Sequence, residues 1–227
     1  MLIYGDPGVG KTVLAGSADE VPELRKVLLV DVEGGDMSLE SRYPNVDLVR
    51  VTDFAALQDI YNFLNLSRGH GYNTVVLDTL TEMQKLSMDR IMSRVKQEDP
   101  DIEMPRQRDW GINIDQIRTM VRAFRDLPIH TVFTCHSKED QDQRTGIRFI
   151  KPSLSGKLAN EVSGFMDIVV YLYVKEDENG KPVRVLMSHS SEQHVAKDRS
   201  DTLPQYLQSP TMAKIYHTIV GEAEETN

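Results

Sequence analysis

Residues 5–12 read GDPGVGKT. Gly5, Gly8 and Gly10 free the backbone to curl around an anion with its amides turned inward, a shape that glycine allows at little steric cost. Asp6, Pro7 and Val9 complete the loop. Lys11, Thr12 and Val13 open a helix whose N-terminus points at the same anion. In this pattern the lysine reaches the β- and γ-phosphates of a nucleotide, and the threonine hydroxyl ligates Mg²⁺. The apolar LIY at 2–4 supplies the strand that must precede such a loop. The expected cofactors are therefore ATP and Mg²⁺.

A site for a magnesium nucleotide also needs a carboxylate on a neighbouring strand. Asp78 ends the apolar run TVVLD and is the candidate, with Thr12, for the metal; the plainer alternative is a cap for the next helix. Hydrolysis further needs a group to orient and deprotonate water. Glu33 follows KVLLVDV at the end of a strand where open α/β sheets collect their ligands. Asp31 and Asp36 compete with it. His136 ends another strand, HTVFTCH, where a polar group can touch the γ-phosphate; a satisfied structural histidine is the alternative. Cys135 beside it reads as a small buried hydrophobe. In AKDR, Lys197 and Arg199 stand two apart, so on a strand they project to one side. They suit fingers that reach a neighbouring subunit's phosphate, or a merely solvated strand end.

The elements that must position these groups are legible as apolar runs. LIY, KVLLVDV (26–32), TVVLD (74–78) and HTVFTCH (130–136) are nearly continuous, the pattern of parallel strands covered on both faces. Between them lie helical spacings. Phe54, Leu57, Tyr61 and Leu64 share a face after a possible Asp53 cap. Met88, Ile91, Met92 and Val95 share another, and Trp110, Ile114, Ile117, Val121 and Phe124 a third. The proline-broken 97–109 reads as a loop, and 137–157 as a polar segment with two glycines. DIVVYLYV and PVRVLMS flank ENGK, a hairpin signal. QHVAK (193–197) suggests a last short strand and 211–220 a final helix. Strand and helix alternate early and strands cluster late. The expected fold is α/β, a mostly parallel central sheet flanked by helices with a C-terminal antiparallel extension. One domain is expected over 1–220, followed by an acidic tail, 221–227.

The chain has 227 residues, 40% of them hydrophobic, and a net charge of −9, so any nucleic-acid surface must be a local basic patch. One cysteine rules out an internal disulfide and suits a reducing compartment. The opening lacks the charged start and apolar core of a signal peptide, and no apolar run approaches a membrane span. A cytoplasmic protein without a membrane is expected.

Together these pieces resemble the RecA-type ATPase core: GDPGVGKT its Walker A loop, TVVLD its Walker B strand, and LVDVEGG the strand that delivers its catalytic glutamate, which favours Glu33. FTCHSK stands where that family has a phosphate sensor before a DNA-binding loop, although RecA itself usually has glutamine at the position of His136. VAKDR resembles the fingers of RecA proteins and DnaB-type ring helicases. More narrowly, the loop, LVDVEGG, PSLSGKLANEVSGFMD and AKDRSDTLP resemble the compact phage RecA-like proteins of the Sak group, over about residues 1–210. That resemblance implies a recombinase of the host-cell cytoplasm that anneals single strands, binds single-stranded DNA and acts with a single-strand DNA-binding protein. It also implies a homo-oligomer, ring or filament, with ATP at the subunit interfaces.

DNA is expected on the segment after His136. It carries Lys138, Arg144, Arg148, Lys151 and Lys157 against Glu139, Asp140 and Asp142, with Phe149 available to stack a base. Arg106 and Arg108 on the 97–109 loop are further candidates. Arg118, Arg122 and Arg125 form a stripe that is either an outer face or a contact surface. Two other functions fit the same motifs: a ring helicase or its loader, and a nucleotide-dependent switch that regulates a protein partner.

Overall fold

The computed structural model describes residues 1–34, 39, 41–66 and 69–221. The acid Asp36 and the acidic tail at 222–227 lie outside them. Among the described residues ten strands form one sheet: β1 (Leu2–Gly5), β2 (Val27–Asp31), β3 (Asp47–Arg50), β4 (Thr74–Asp78), β5 (His130–Gln141), β6 (Arg148–Pro152), β7 (Ile168–Glu176), β8 (Pro182–Met187), β9 (Lys197–Asp198) and β10 (Tyr206–Gln208). The order is β10-β8-β7-β1-β5-β4-β2-β3, with β6 on β5 and β9 on β7. From β7 to β3 every neighbouring pair is parallel. The β8, β10, β9 and β6 pairings are antiparallel. The fold is thus α/β, largely parallel, with the antiparallel extension at the late end of the chain.

Strand periodicity divides the core in two. Leu2 and Tyr4, with Leu28, Val30, Val75, Leu77 and Phe133, turn to one face. There they meet α2 (Ala56–Leu66), α3 (Leu80–Glu98), α4 (Gln107–Arg125) and α5 (Leu158–Phe165). Ile3, Leu29, Val76, Val132 and Val170 turn to the other, against α1 (Lys11–Gly16), a 3₁₀ turn at Ser17–Glu20 and α6 (Met212–Val220). Among the described residues no helix is long and apolar enough to cross a membrane.

Several elements depart from the sequence reading. β3 is an additional strand; its DLVR is partly exposed at the sheet edge, so it lacks the apolar run that marks the others. β5 does not stop at His136 but runs on to Gln141 and pairs with β6, which makes most of the polar segment a hairpin. Asp53 accepts from the Ala55 amide at 3.2 Å and shapes the turn before α2, which starts three residues later. Trp110 is exposed, and Asp109 and Asn113 are buried in its stead. The reason lies in the α3–α4 contact. Gln84 Nε2 donates to Asn113 Oδ1 at 2.9 Å and Ser87 Oγ to Gln116 Oε1 at 2.8 Å. Both pairs are 29 apart in sequence, so the two helices run side by side in the same direction. The stretch between them therefore travels back along α3. It returns the start of α4 to the sheet end where β4 finishes.

Candidate active site

The glycine-rich loop leaves β1 and enters α1. Lys11 is only 5% exposed, and its ammonium donates to the carbonyls of Gly5 at 3.0 Å and Asp6 at 2.9 Å. Burial pulls its pKa below the usual lysine range, against the pull of the Asp78 and Glu33 carboxylates. Two glycines have specific reasons. A Cβ on Gly5 would lie 2.2 Å from the Leu172 carbonyl oxygen. Gly10 has φ +103°, and a Cβ there would lie 2.7 Å from Arg184 Nε.

Asp78 ends β4 and is buried beneath the loop. Thr12 Oγ1 donates to its Oδ2 at 2.6 Å, and Thr134 from β5 donates to its Oδ1. Asp31 is the register partner of Asp78 on β2, so both side chains take the same face. Asp31 Oδ1 accepts the amides of Glu33 at 3.1 Å and Gly34 at 2.8 Å, while its buried Oδ2 has no partner among the described residues. A hydroxyl and two buried carboxylates, one oxygen of which is unmatched, form the hard oxygen set that suits a hydrated Mg²⁺ shared with phosphates.

Asp31 shapes the turn that carries Glu33 past the end of β2. Glu33 Oε1 then lies 3.3 Å from His136 Nε2. His136 pairs with Gly5 across β1 and β5, and its Nδ1 is 3.5 Å from Lys11 Nζ. An ammonium has only protons to give, so Nδ1 accepts and the ring proton on Nε2 faces Glu33. Lys11, Thr12, Glu33 and Asp78 line a cavity of about 270 Å³ together with Arg42 and Arg184. A larger cavity of about 560 Å³ lies between α2, α3 and α4, away from the loop. Size does not decide between them; only the smaller has a phosphate-type loop, a buried ammonium and carboxylates facing one space.

Residues 1–200 match the family described as AAA domain. The chain belongs to the AAA domain family. A comparison with curated proteins finds none that matches. Among solved structures, the RadB recombinase is 15% identical, with 91% of this chain and 83% of that one covered and a TM-score of 0.48. The Legionella pneumophila ATPase DotB is 8% identical, with 84% and 46% covered and a TM-score of 0.34.

The remaining candidates of the AAA domain lie at both ends of its sheet. Lys197 pairs with Val169, whose β1 partner is Leu2, so the two finger candidates sit at the opposite end of the sheet from their own loop. Lys197 Nζ donates to the carbonyls of Met166 at 2.6 Å and Gly164 at 3.2 Å, and Arg199 pairs with Asp167. Burial, followed by the neighbouring Arg199, lowers the Lys197 pKa. Within one chain neither side chain serves its own loop.

The β5–β6 hairpin stands at the loop end, and Ser137 at its base donates to the Asp6 carboxylate. Its cations differ in availability. Lys138 donates to the Leu154 carbonyl and Lys151 pairs with Asp140, while Arg144 and Arg148 are exposed and without a side-chain partner among the described residues. The register places Phe149 and Lys151 on one face with Lys138 and Asp140, and Arg148 on the other, so Arg148 is separated from Phe149 and Lys151. Arg106 and Arg108 are exposed at the start of α4, brought to this end by the returning loop. The arginine stripe is a packing surface. Arg118 donates through Nε and Nη2 to the Glu161 carboxylate, at 2.7 and 3.2 Å, and Arg122 lies 4.3 Å over the Phe165 ring. This charge pairing holds the Glu161 pKa below the usual carboxylate range. Sequence reasoning missed Thr134, Ser137 and Arg184. Thr134 sits on a strand already identified, next to Cys135, and Ser137 just past its expected end at His136; Arg184 had no local signal.

Proposed function

We propose that the chain is an ATP-hydrolysing, RecA-like recombinase, one domain over residues 1–220, that assembles on single-stranded DNA and promotes strand annealing or pairing. The observation that carries this reading is the position of His136. It touches Lys11 and Glu33 on one side and continues without a break into the basic hairpin on the other. One strand thereby joins the phosphate end of the site to the surface proposed for DNA.

In this reading Gly5 to Val13 cradle the phosphates, and the Lys11 ammonium leaves the Gly5 and Asp6 carbonyls for the β- and γ-phosphate oxygens. Thr12 and Asp78 would hold Mg²⁺, which when bound supplies positive charge to those oxygens. Glu33 accepts a proton from the attacking water as the bond to the β,γ-bridging oxygen breaks and ADP leaves. His136 holds Glu33 and meets the γ-phosphate. Lys197 and Arg199 complete the site of the next copy in a ring or filament, since their place at the far end of the sheet suits contact between copies. DNA is held at the hairpin, where Arg144 and Arg148 offer exposed cations and Phe149, with Lys138 and Lys151, lies on the opposite face from Arg148, and where Arg106 and Arg108 stand at the same end of the sheet. The specific form is a phage protein of the Sak group, working in the host cytoplasm with a single-strand DNA-binding protein; the stretches PSLSGKLANEVSGFMD and AKDRSDTLP support it.

The test is phosphate release with and without single-stranded DNA. A several-fold rise on adding DNA is expected, and a rate indifferent to DNA would overturn the reading.

A further inference from the structure

Arg184 lies on β8 and touches the glycine-rich loop across 175 residues of sequence. Its Nε donates to the Val9 carbonyl at 2.7 Å. Its side chain covers Gly10, which has no room for a Cβ beneath it. Its two terminal nitrogens have no hydrogen-bond or ion-pair partner among the described residues. A guanidinium fixed by one nitrogen, with the other two unspent, is a preset fork for phosphate oxygens.

Arg184 also stands where two cavities meet. One is the cavity of about 270 Å³ that holds Lys11, Thr12, Glu33 and Asp78. The other, about 280 Å³, is walled by Tyr43, Pro182, Ser209 and Thr211. Gly10, Val13, Arg42 and Arg184 line both. The Ser209 amide donates to the Arg184 carbonyl at 2.8 Å, so the far wall and the arginine are joined. Glu33, the proposed base, lines the first cavity and is contacted by His136. Arg184 lies over Gly10 at the junction with the second.

We propose that Arg184 is a phosphate ligand contributed by the same chain, gripping the α- and β-phosphates of a nucleotide whose nucleoside half occupies the second cavity. The proposal rests on the reading of residues 5–12 as a nucleotide site and adds to it a residue that no motif marks. Its position fits ADP as well as ATP, so it retains nucleotide on both sides of hydrolysis.

The test is calorimetric titration of the full chain with ADP and with ATP, in three forms: unaltered, R184Q and R184M. Glutamine places its amide nitrogen where arginine has Nε, so R184Q keeps the donor to Val9 and removes only the fork and its charge. R184M removes both. Loss of one charge-assisted contact predicts that R184Q weakens ADP and ATP alike, by about tenfold or more. Weakening of ATP alone would move the contact to the γ-phosphate and overturn the assignment. Unchanged affinity in R184Q with loss only in R184M would reduce Arg184 to a strut for the loop, and also overturn it. If the unaltered chain binds neither nucleotide, the nucleotide reading itself falls; if it binds both and R184Q matches it, only the role of Arg184 falls.

Discussion

Glu33, just past the end of β2, and His136 on β5, two strands away across β4, meet at 3.3 Å with the imidazole Nε2 facing the carboxylate. The contact places the proposed base in the grip of the strand that leads to the hairpin. Glu33→Gln removes the proton acceptor and leaves the phosphate cradle intact. Phosphate release should fall about 10²- to 10⁴-fold, while ATP affinity measured by titration changes little.

His136→Ala frees Glu33 and removes the link to the hairpin. Stimulation by single-stranded DNA should disappear, while nucleotide affinity stays within about tenfold because Lys11 and the loop remain. Retained stimulation in steady-state assays would mean that the coupling runs elsewhere.

Thr134 is fully buried and supplies the donor to Asp78 Oδ1. Thr134→Val leaves that oxygen unmatched in the core. Urea unfolding should show a loss of about 1–3 kcal/mol, the cost of an unsatisfied buried acceptor. Asp78→Asn should abolish the Mg²⁺ dependence of nucleotide binding.

Lys197 and Arg199 point away from their own loop. If they serve a neighbour, Arg199→Ala and Lys11→Ala are each inactive alone, yet a mixture regains part of the activity at junctions with one intact half from each copy. A mixture as inactive as its components would remove the fingers from the mechanism.

Asp198 accepts from the Ser200 amide and hydroxyl and from the amides of Thr202 and Leu203, at 2.6–3.0 Å. Burial alone would raise its pKa; the hydrogen bonds outweigh it and hold it below the ordinary 3.8. A value lowered by folding stabilises fully above the unfolded value and is lost as pH falls through the folded one. Asp198→Ala should therefore cost about 1–2 kcal/mol at neutral pH. That cost should shrink as pH falls from 3.8 through the lower folded-state value, as read by thermal melts across pH.

The loop and the buried strands were legible because their signals are local: eight consecutive residues, or five apolar ones in a row. What sequence alone concealed depends on distance or on polar strands. Asp47–Arg50 forms a half-exposed edge without an apolar run. Residues 137–141 continue β5 through polar side chains, held by pairing with β6. The Arg118 stripe stays ambiguous between outer face and contact surface in sequence because α5, which carries Glu161 and Phe165, is more than thirty residues downstream. Arg184 was invisible because nothing near it in sequence resembles the loop it touches.

β5 spans twelve residues from the floor of the sheet, past Glu33 and Lys11, to the hairpin turn. An extended chain has almost no slack along its axis. A pull at the turn is therefore felt at the imidazole as a displacement, with little stretch to absorb it. The rod proposed to read the polynucleotide and the rod proposed to feel the phosphate are one piece.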